Sequence, residues 1–386
     1  MKKESKNQEQ VREKIKLLTN GYPKYAHIFV QEIFTWITGK PYEHQQPLIK
    51  QTASGYLLLA LIELALGTMG SCFILKSSFI LFYLFLPVTF LLTVGGARIL
   101  ETTIIHQCVH LNFYESSSVK NRFLAELLST IIGTEHFDGY YDNHVRKHHN
   151  RKAFATFEDP AFKLILKLGF YPGRSKREYW ACLVKAIFSP DFHLSLLKER
   201  LISNFLISPL YRRVMSIIWI AGCFSLVFAT ENLVTFLIVW VFPLTLLHNI
   251  SALLHALTEH VWGYEDEKET QKVVYLRRTC GRFCGELPPD IRFIQNPLSW
   301  FYWGTKLFLI HLPIRLACWV GEVPEHDYHH RHAHDKNWVN GAYARQRELE
   351  ANCPGFPEPY TEVWGIFAAL DRVFETLSQS SIQVSL

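Results

Sequence analysis

The sequence predicts a mainly α-helical integral membrane protein, with four transmembrane helices in two hairpins and a helical cytoplasmic cap carrying clustered histidines. Three observations predict it. Apolar residues make up 49% of the 386, an ordinary fraction, yet they fall in near-continuous runs divided by long charged stretches. Four of these runs approach the roughly 20 residues a helix needs to cross a 30 Å hydrocarbon layer. The chain also holds 18 histidines, most of them in three clusters. With 40 Lys and Arg against 35 Asp and Glu, the formal charge is +5. That balance is too mild and too evenly spread for a nucleic-acid arm, so no nucleic-acid partner is expected.

Residues 1–53 form a charged N-terminal region. From Met1 to Lys16 there is no apolar stretch of the kind a cleavable signal carries, so internal segments are expected to direct insertion. Residues 54–97 form the first hairpin, in two apolar runs around Lys76, Ser77 and Ser78. Residues 98–212 follow as a cytoplasmic region with the first two histidine clusters. Residues 213–254 form the second hairpin, turning at Thr230, Glu231 and Asn232. Residues 255–386 complete the cap with the third cluster. Lys2, Lys3, Lys6, Arg12, Lys14, Lys16, Lys24, Lys40 and Lys50 crowd the N-terminal stretch, and many more follow after Ala97. The two hairpin turns hold one lysine between them. The positive-inside rule then places the turns outside, and both termini and every histidine cluster in the cytoplasm.

Three further apolar stretches are short or interrupted. Phe123–Ile132 is too short to span, His193–Leu210 mixes Lys198, Glu199 and Arg200 into a helical pattern, and Trp300–Val320 includes Lys306, His311, Pro313 and Arg315. They read as helices on the membrane surface or over a core. Thr361–Leu377 reads as an amphipathic cytoplasmic helix. The eight cysteines are scattered, several in apolar runs, with Cys280 and Cys284 the only close pair. Buried thiols in a reducing compartment account for them better than a disulfide framework does.

The first cluster is His106-Gln107-Cys108-Val109-His110, directly after the second span. An i, i+4 pair shares one helix face, so two imidazoles can converge on one metal. A zinc peptidase would need a glutamate after His106 as general base, and Gln107 cannot take a proton from water. The second cluster holds His144, His148 and His149. Helical spacing puts His144 and His148 on one face and turns His149 about 100° away, toward a second metal. The third holds His326, His329 and His330 and runs on through His332 and His334, which read as solvated or supporting groups. Between them, past the fourth span, stand His255 and His260. With His260 the set offers nine imidazoles, too many for one tetrahedral zinc and suited to two ions with positions open for dioxygen. Isolated His27, His44, His193 and His311 read as ordinary polar residues, and His136 and His248 stay open. Glu101, Asp142, Glu259, Glu325 and Asp327 stand near the clusters, and some of them are expected to supply carboxylates that orient ligand imidazoles. Glu63 lies mid-span, where an ionisable group is costly and often functional.

In this order (hairpin, cluster, cluster, hairpin, extra histidine, cluster) the chain resembles the membrane fatty acid desaturase and hydroxylase superfamily. The three histidine boxes read as His106–His110, His144–His149 and His326–His330, and Glu158-Asp159-Pro160 also looks like the family. The resemblance implies a di-iron centre of two ferrous ions held by His106, His110, His144, His148, His149, His260, His326, His329 and His330. Here His260 is preferred as the extra ligand and His255 is its alternative. Gln107 departs from the acidic residue common in the family at that place.

Taking hydrogen from an unactivated methylene needs the oxidising power of dioxygen, a four-electron acceptor. Desaturation supplies two electrons from the substrate, and two must come from outside. No flavin, nicotinamide, haem or iron–sulfur motif is visible, so an external donor of ferredoxin or cytochrome b5 type is expected at the basic cytoplasmic face. The expected activity is thus an oxygen-dependent desaturation of a lipid acyl chain, its substrate drawn from the membrane. Hydroxylation on the same scaffold is the alternative, and a metal transporter with histidine-rich loops is a remote one, since transporters hold their ligands near mid-bilayer.

Overall fold

In hydrocarbon a backbone has no water to bond, so long apolar runs must satisfy their own amides and carbonyls as helices. The computed structural model describes residues 24–380 apart from 116, 265, 267, 287 and 290–293; the segment Met1–Lys16 and the side chain of His27 lie outside the described residues. Helix α1 (Lys24–Thr38) leads to α2 (Ala53–Lys76), capped by the Thr52 hydroxyl, which accepts from the Gly55 amide. A short turn joins it to α3 (Ile80–Val109), and both are long and apolar enough to cross a membrane. They pack tightly because two glycines remove side chains from the contact. A Cβ on Gly96 would stand 2.4 Å from the Leu64 amide nitrogen, and one on Gly67 2.3 Å from that of Thr93. The second membrane-length helix reaches past the expected Ala97 and carries His106 on its own continuation.

Helix α4 (Ser118–Ile132) begins at a Ser117 cap and stops at left-handed Gly133. Residues 137–148 form α5, which bears the second histidine cluster. Three capped helices follow: α6 (Pro160–Lys167) behind Asp159, α7 (Lys176–Phe188) behind a reciprocal Ser175–Glu178 capping box, and α8 (Pro190–Ile202) behind Ser189. The second membrane-length pair is α9 (Leu210–Thr230) and α10 (Leu233–Glu259). Then come α11 (Gln271–Arg277) and strand β1 (Gly281–Phe283), a bent helix α12 over residues 297–317, α13 (His326–Arg331) and α14 (Gly341–Glu350). Strand β2 (Glu362–Trp364) and α15 (Ile366–Gln379) end the described chain.

The strands pair in parallel, Gly281 opposite Glu362. The expected helix over 361–377 is thus shorter at its start, because residues 362–364 find backbone partners in β1. The rest is amphipathic as read: Ile366, Ala369, Leu370, Val373, Phe374 and Leu377 are buried at helical spacing. They join a core with Phe162, Tyr179, Trp262 and Trp319, while a second core gathers Ala60, Leu64, Leu100, Ile104 and Leu128 where α2, α3 and α4 meet. Helix α12 leaves Leu298, Phe301, Phe308 and Leu309 exposed. The eight cysteines are all free thiols, with Cys280 and Cys284 buried.

A buried ion pair ties α9 to α4. Arg212, fully buried, donates to Glu126 Oε2 at 3.0 Å, to Ser129 Oγ at 2.7 Å and to Asn204 Oδ1 at 2.6 Å. Removing one partner leaves the other charge buried and uncompensated. Arg212→Met is therefore expected to cost about 3–5 kcal/mol, read as a lower melting temperature in detergent micelles. The double variant Arg212→Met with Glu126→Leu should regain most of it. A single variant as stable as the parent would show that this pair does not brace α9.

Candidate metal centre

Nine imidazoles converge in two adjoining groups. His106, His110, His144, His149 and His329 form one, and His148, His260, His326 and His330 the other; within each, the facing nitrogens all lie within 4.8 Å of one another. In the first group His106 Nε2 is 2.8 Å from His144 Nε2, and His149 Nε2 is 3.1 Å from His144 Nε2. His329 Nε2 is 3.1 Å from His110 Nε2 and 3.2 Å from His149 Nε2. In the second, His260 Nε2 is 3.0 Å from His148 Nε2 and His330 Nε2 is 3.1 Å from His326 Nε2. The groups touch: the rings of His149 and His330 stack at 4.5 Å, and those of His144 and His148 at 5.1 Å.

Local helix geometry explains the sorting. The His106 amide bonds back to Glu101, and the His149 amide to His144 at 2.9 Å, both i→i−5 bonds of π-helical turns. Such a turn sets residue i+5 over residue i. It brings His149 over His144 and passes His148 to the other group, which reverses the expected pairing of His144 with His148. An α-helical spacing rule cannot show this. His106 lies in the last turn of α3, His110 directly follows it, and His260 follows directly on α10, so the C-terminal ends of two membrane-length helices meet at the centre.

The supporting partners differ from those expected. His106 Nδ1 lies 2.8 Å from Glu322 Oε1, His148 Nδ1 2.9 Å from Asp159 Oδ2, and His330 Nδ1 2.8 Å from the Tyr275 hydroxyl. Of the five acids read from the sequence, none holds a ligand Nδ1. Glu101 pairs with Arg98 and His248, Asp142 with Lys147 on the surface, and Asp327 with Arg345. Glu325 is buried, which pushes its carboxyl up to about 8. Glu259 instead sets Oε1 at 3.2 Å from His326 Nε2, on the converging side. Asp159 had a visible signal, an Asp-Pro helix start; Glu322 stands four residues before His326 and had none. Gln107 donates to both Glu322 oxygens, at 2.9 and 2.8 Å, and accepts from Asn112. An acidic residue there would oppose a second carboxylate to Glu322, so the amide matches this chain's own arrangement.

The other histidines stand outside both groups. His255 faces Glu259 at 3.5 Å, and His248 lies between Glu101 and Arg200. His136 meets Ser203, His332 meets Glu348, and His334 is exposed. His44, His193 and His311 each contact nearby polar groups. Glu63 packs against Gly95 of α3, in neither group.

The electrostatics favour a cation over protons. Burial, reinforced by the neighbouring imidazoles, holds His110, His144, His149, His329 and His330 well below the ordinary histidine range. Burial takes His326 down to about 4 against the pull of Glu259. Burial also opposes charge on His148, but Asp159 outweighs it and moves that ring upward. Asp159 and Glu322 can only accept, so each fixes hydrogen on Nδ1 and leaves the Nε2 lone pair pointing inward. Two nitrogens each about 2.1 Å from one ion and at right angles are about 3.0 Å apart, as the facing pairs here are. The nitrogen-rich donor set thus fits transition-metal ions, one in each group.

The fatty acid desaturase family model matches residues 80–288, more than half the chain, from the start of α3 through the first two histidine boxes and His260. This chain belongs to the fatty acid desaturase family. Membership makes it an enzyme of the oxidoreductase class with a lipid acyl substrate and a membrane setting, in keeping with the four membrane-length helices. The third histidine box of this desaturase-family protein lies beyond the matched segment, and the structure brings it to the other two. No individually curated protein matches the chain significantly.

Proposed function

We propose that this desaturase-family protein is an oxygen-dependent di-iron desaturase of a lipid acyl chain. Nine of its 18 histidines hold two irons at the cytoplasmic face, and a ferredoxin- or cytochrome b5-type protein delivers the electrons. The observation that carries the reading is the convergence of nine Nε2 atoms, three with their opposite nitrogen held by Glu322, Asp159 or Tyr275. Bound iron would supply the reduction of dioxygen to two waters, coupled to loss of two hydrogens from the substrate and uptake of two external electrons and two protons.

The chain's own residues do the rest. Glu322 and Asp159 keep His106 and His148 in the tautomer that presents a lone pair. Burial of His106, His110, His148, His260, His326, His329 and His330 shields the centre from bulk water. A cavity of about 580 Å³ opens beside His106, His144, His148 and His326 and gives an aliphatic chain a place to lie, with Ile105, Leu164 and Leu196 in its wall. The ligands end α3 and follow α10 rather than standing mid-helix, which supports an enzyme over a transporter. The lysine-rich segments outside the hairpin turns support a cytoplasmic setting for that end.

The test is metal quantification on purified protein with lipid profiling of cells with and without the gene. The expected result is two irons per chain and a lipid two hydrogens lighter. Purified protein without iron, or unchanged lipids, would overturn the reading; gain of one oxygen with no new double bond would replace desaturation by hydroxylation.

A further inference from the structure

The cavity beside the histidines has walls of two kinds. Ile105, Leu164, Leu196, Ile202 and Ile207 are apolar, but Arg98, Glu101, Arg200 and His248 line it as well, as do Glu135, Tyr140 and Asn143. The first polar set is largely paired within itself, with Arg98 Nε left over. Arg98 pairs with Glu101, Glu101 with His248 at 3.1 Å, and Arg200 with His248 Nδ1 and the Leu244 carbonyl, both at 2.7 Å. The second set keeps spare capacity. Glu135 accepts only from Asn143 Nδ2, at 2.9 Å on Oε1, among the described hydrogen bonds. The Tyr140 hydroxyl makes none there, although its ring lies 5.3 Å from that of His144.

Glu135 occupies a fitted place. A Cβ on Gly139 would stand 2.6 Å from its Oε1, so the missing side chain makes room for the carboxyl. Glu101 and Glu199 line the same cavity but are spent in ion pairs with Arg98 and Lys167, whereas Glu135 has no ion pair among the described residues. A purely methylene ligand would strip water from Glu135 and Tyr140 and return no hydrogen bond, weakening binding roughly tenfold per group. A ligand carboxylate placed at Glu135 would meet like charge.

We propose that the substrate carries a hydrogen-bond donor, a hydroxyl or an ammonium, near the carbon under attack, and that Glu135, Tyr140 and Asn143 recognise it. This rests on the desaturase reading, because it names the class of substrate brought to that centre. Asn143 adjoins His144 in the chain and Tyr140 touches its ring, so the donor sits inside the cavity beside the ligands and the aliphatic part follows the apolar wall.

The test uses full-length iron-loaded protein in lipid nanodiscs with four probes: hexane, 1-hexanol, hexylamine and hexanoate. Hexylamine and 1-hexanol are expected to bind at least about tenfold more tightly than hexane or hexanoate. Glu135→Gln should remove the amine's advantage, and Tyr140→Phe should reduce the alcohol's, with two irons retained in each. Hexane or hexanoate binding as tightly as hexylamine overturns the proposal, and that ranking in the unaltered protein needs no variant to fold. Two irons with no donor preference sinks the recognition alone; missing iron sinks the metal reading and leaves the ranking readable.

Discussion

Replacing His329 by alanine is expected to empty one of the two metal positions and end turnover. His329 Nε2 faces His110 and His149 together, at 3.1 and 3.2 Å, so it links two of the segments that build the first group. Four imidazoles would remain there from α3 and α5, but the third box would lose its contribution to that group. Iron should fall from two per chain toward one, and product formation by more than about 100-fold, beyond the loss typical of outer partners. Mass spectrometry of the lipid product and metal analysis of the same preparation check both. His44→Ala is the control: its side chain is 80% exposed against Glu350, and iron should stay at two. Full turnover by the His329 variant would remove it from the ligand set.

The second large effect is expected at Asp159, whose carboxylate has three tasks at zero exposure. It accepts from His148 Nδ1 with both oxygens, from the Ala155 amide at 2.8 Å and from the Ala161 amide at 2.9 Å, where it caps α6. Asp159→Ala loses a cap of about 1 kcal/mol. It also orphans buried donors at about 1–3 kcal/mol each, so a total near 3–5 kcal/mol is expected in melting experiments. Because His148 can then rotate or change tautomer, iron affinity in the second group should drop about 10–100-fold. Asp159→Asn keeps shape and one accepting oxygen and should recover most of the stability. Unchanged iron affinity in the alanine variant would mean that His148 is oriented by something else.

Legibility followed the range of the interaction. Apolar runs marked α2, α3, α9 and α10 because spanning length is a local property of composition. The extent of α3 was less visible, since its last turns before His106 are mixed polar and apolar and hold helical form through π-type bonds. Residues 362–364 read as helix because their strand partner lies at Gly281–Phe283, far away in the chain.

The same division runs through the metal centre. By itself the sequence determined which side chains could hold metal: nine imidazoles in spaced clusters, since residue identity and helical spacing are properties of short segments. Only the tertiary structure decided which imidazole joins which group, that Glu322 and Asp159 rather than Glu101 or Asp142 hold the rings, and that Glu135 and Tyr140 face the cavity. The reason is directional. A hydrogen bond or coordination bond depends on a few tenths of an ångström and a rotation about the helix axis, and two π-helical turns with the docking of distant segments set both.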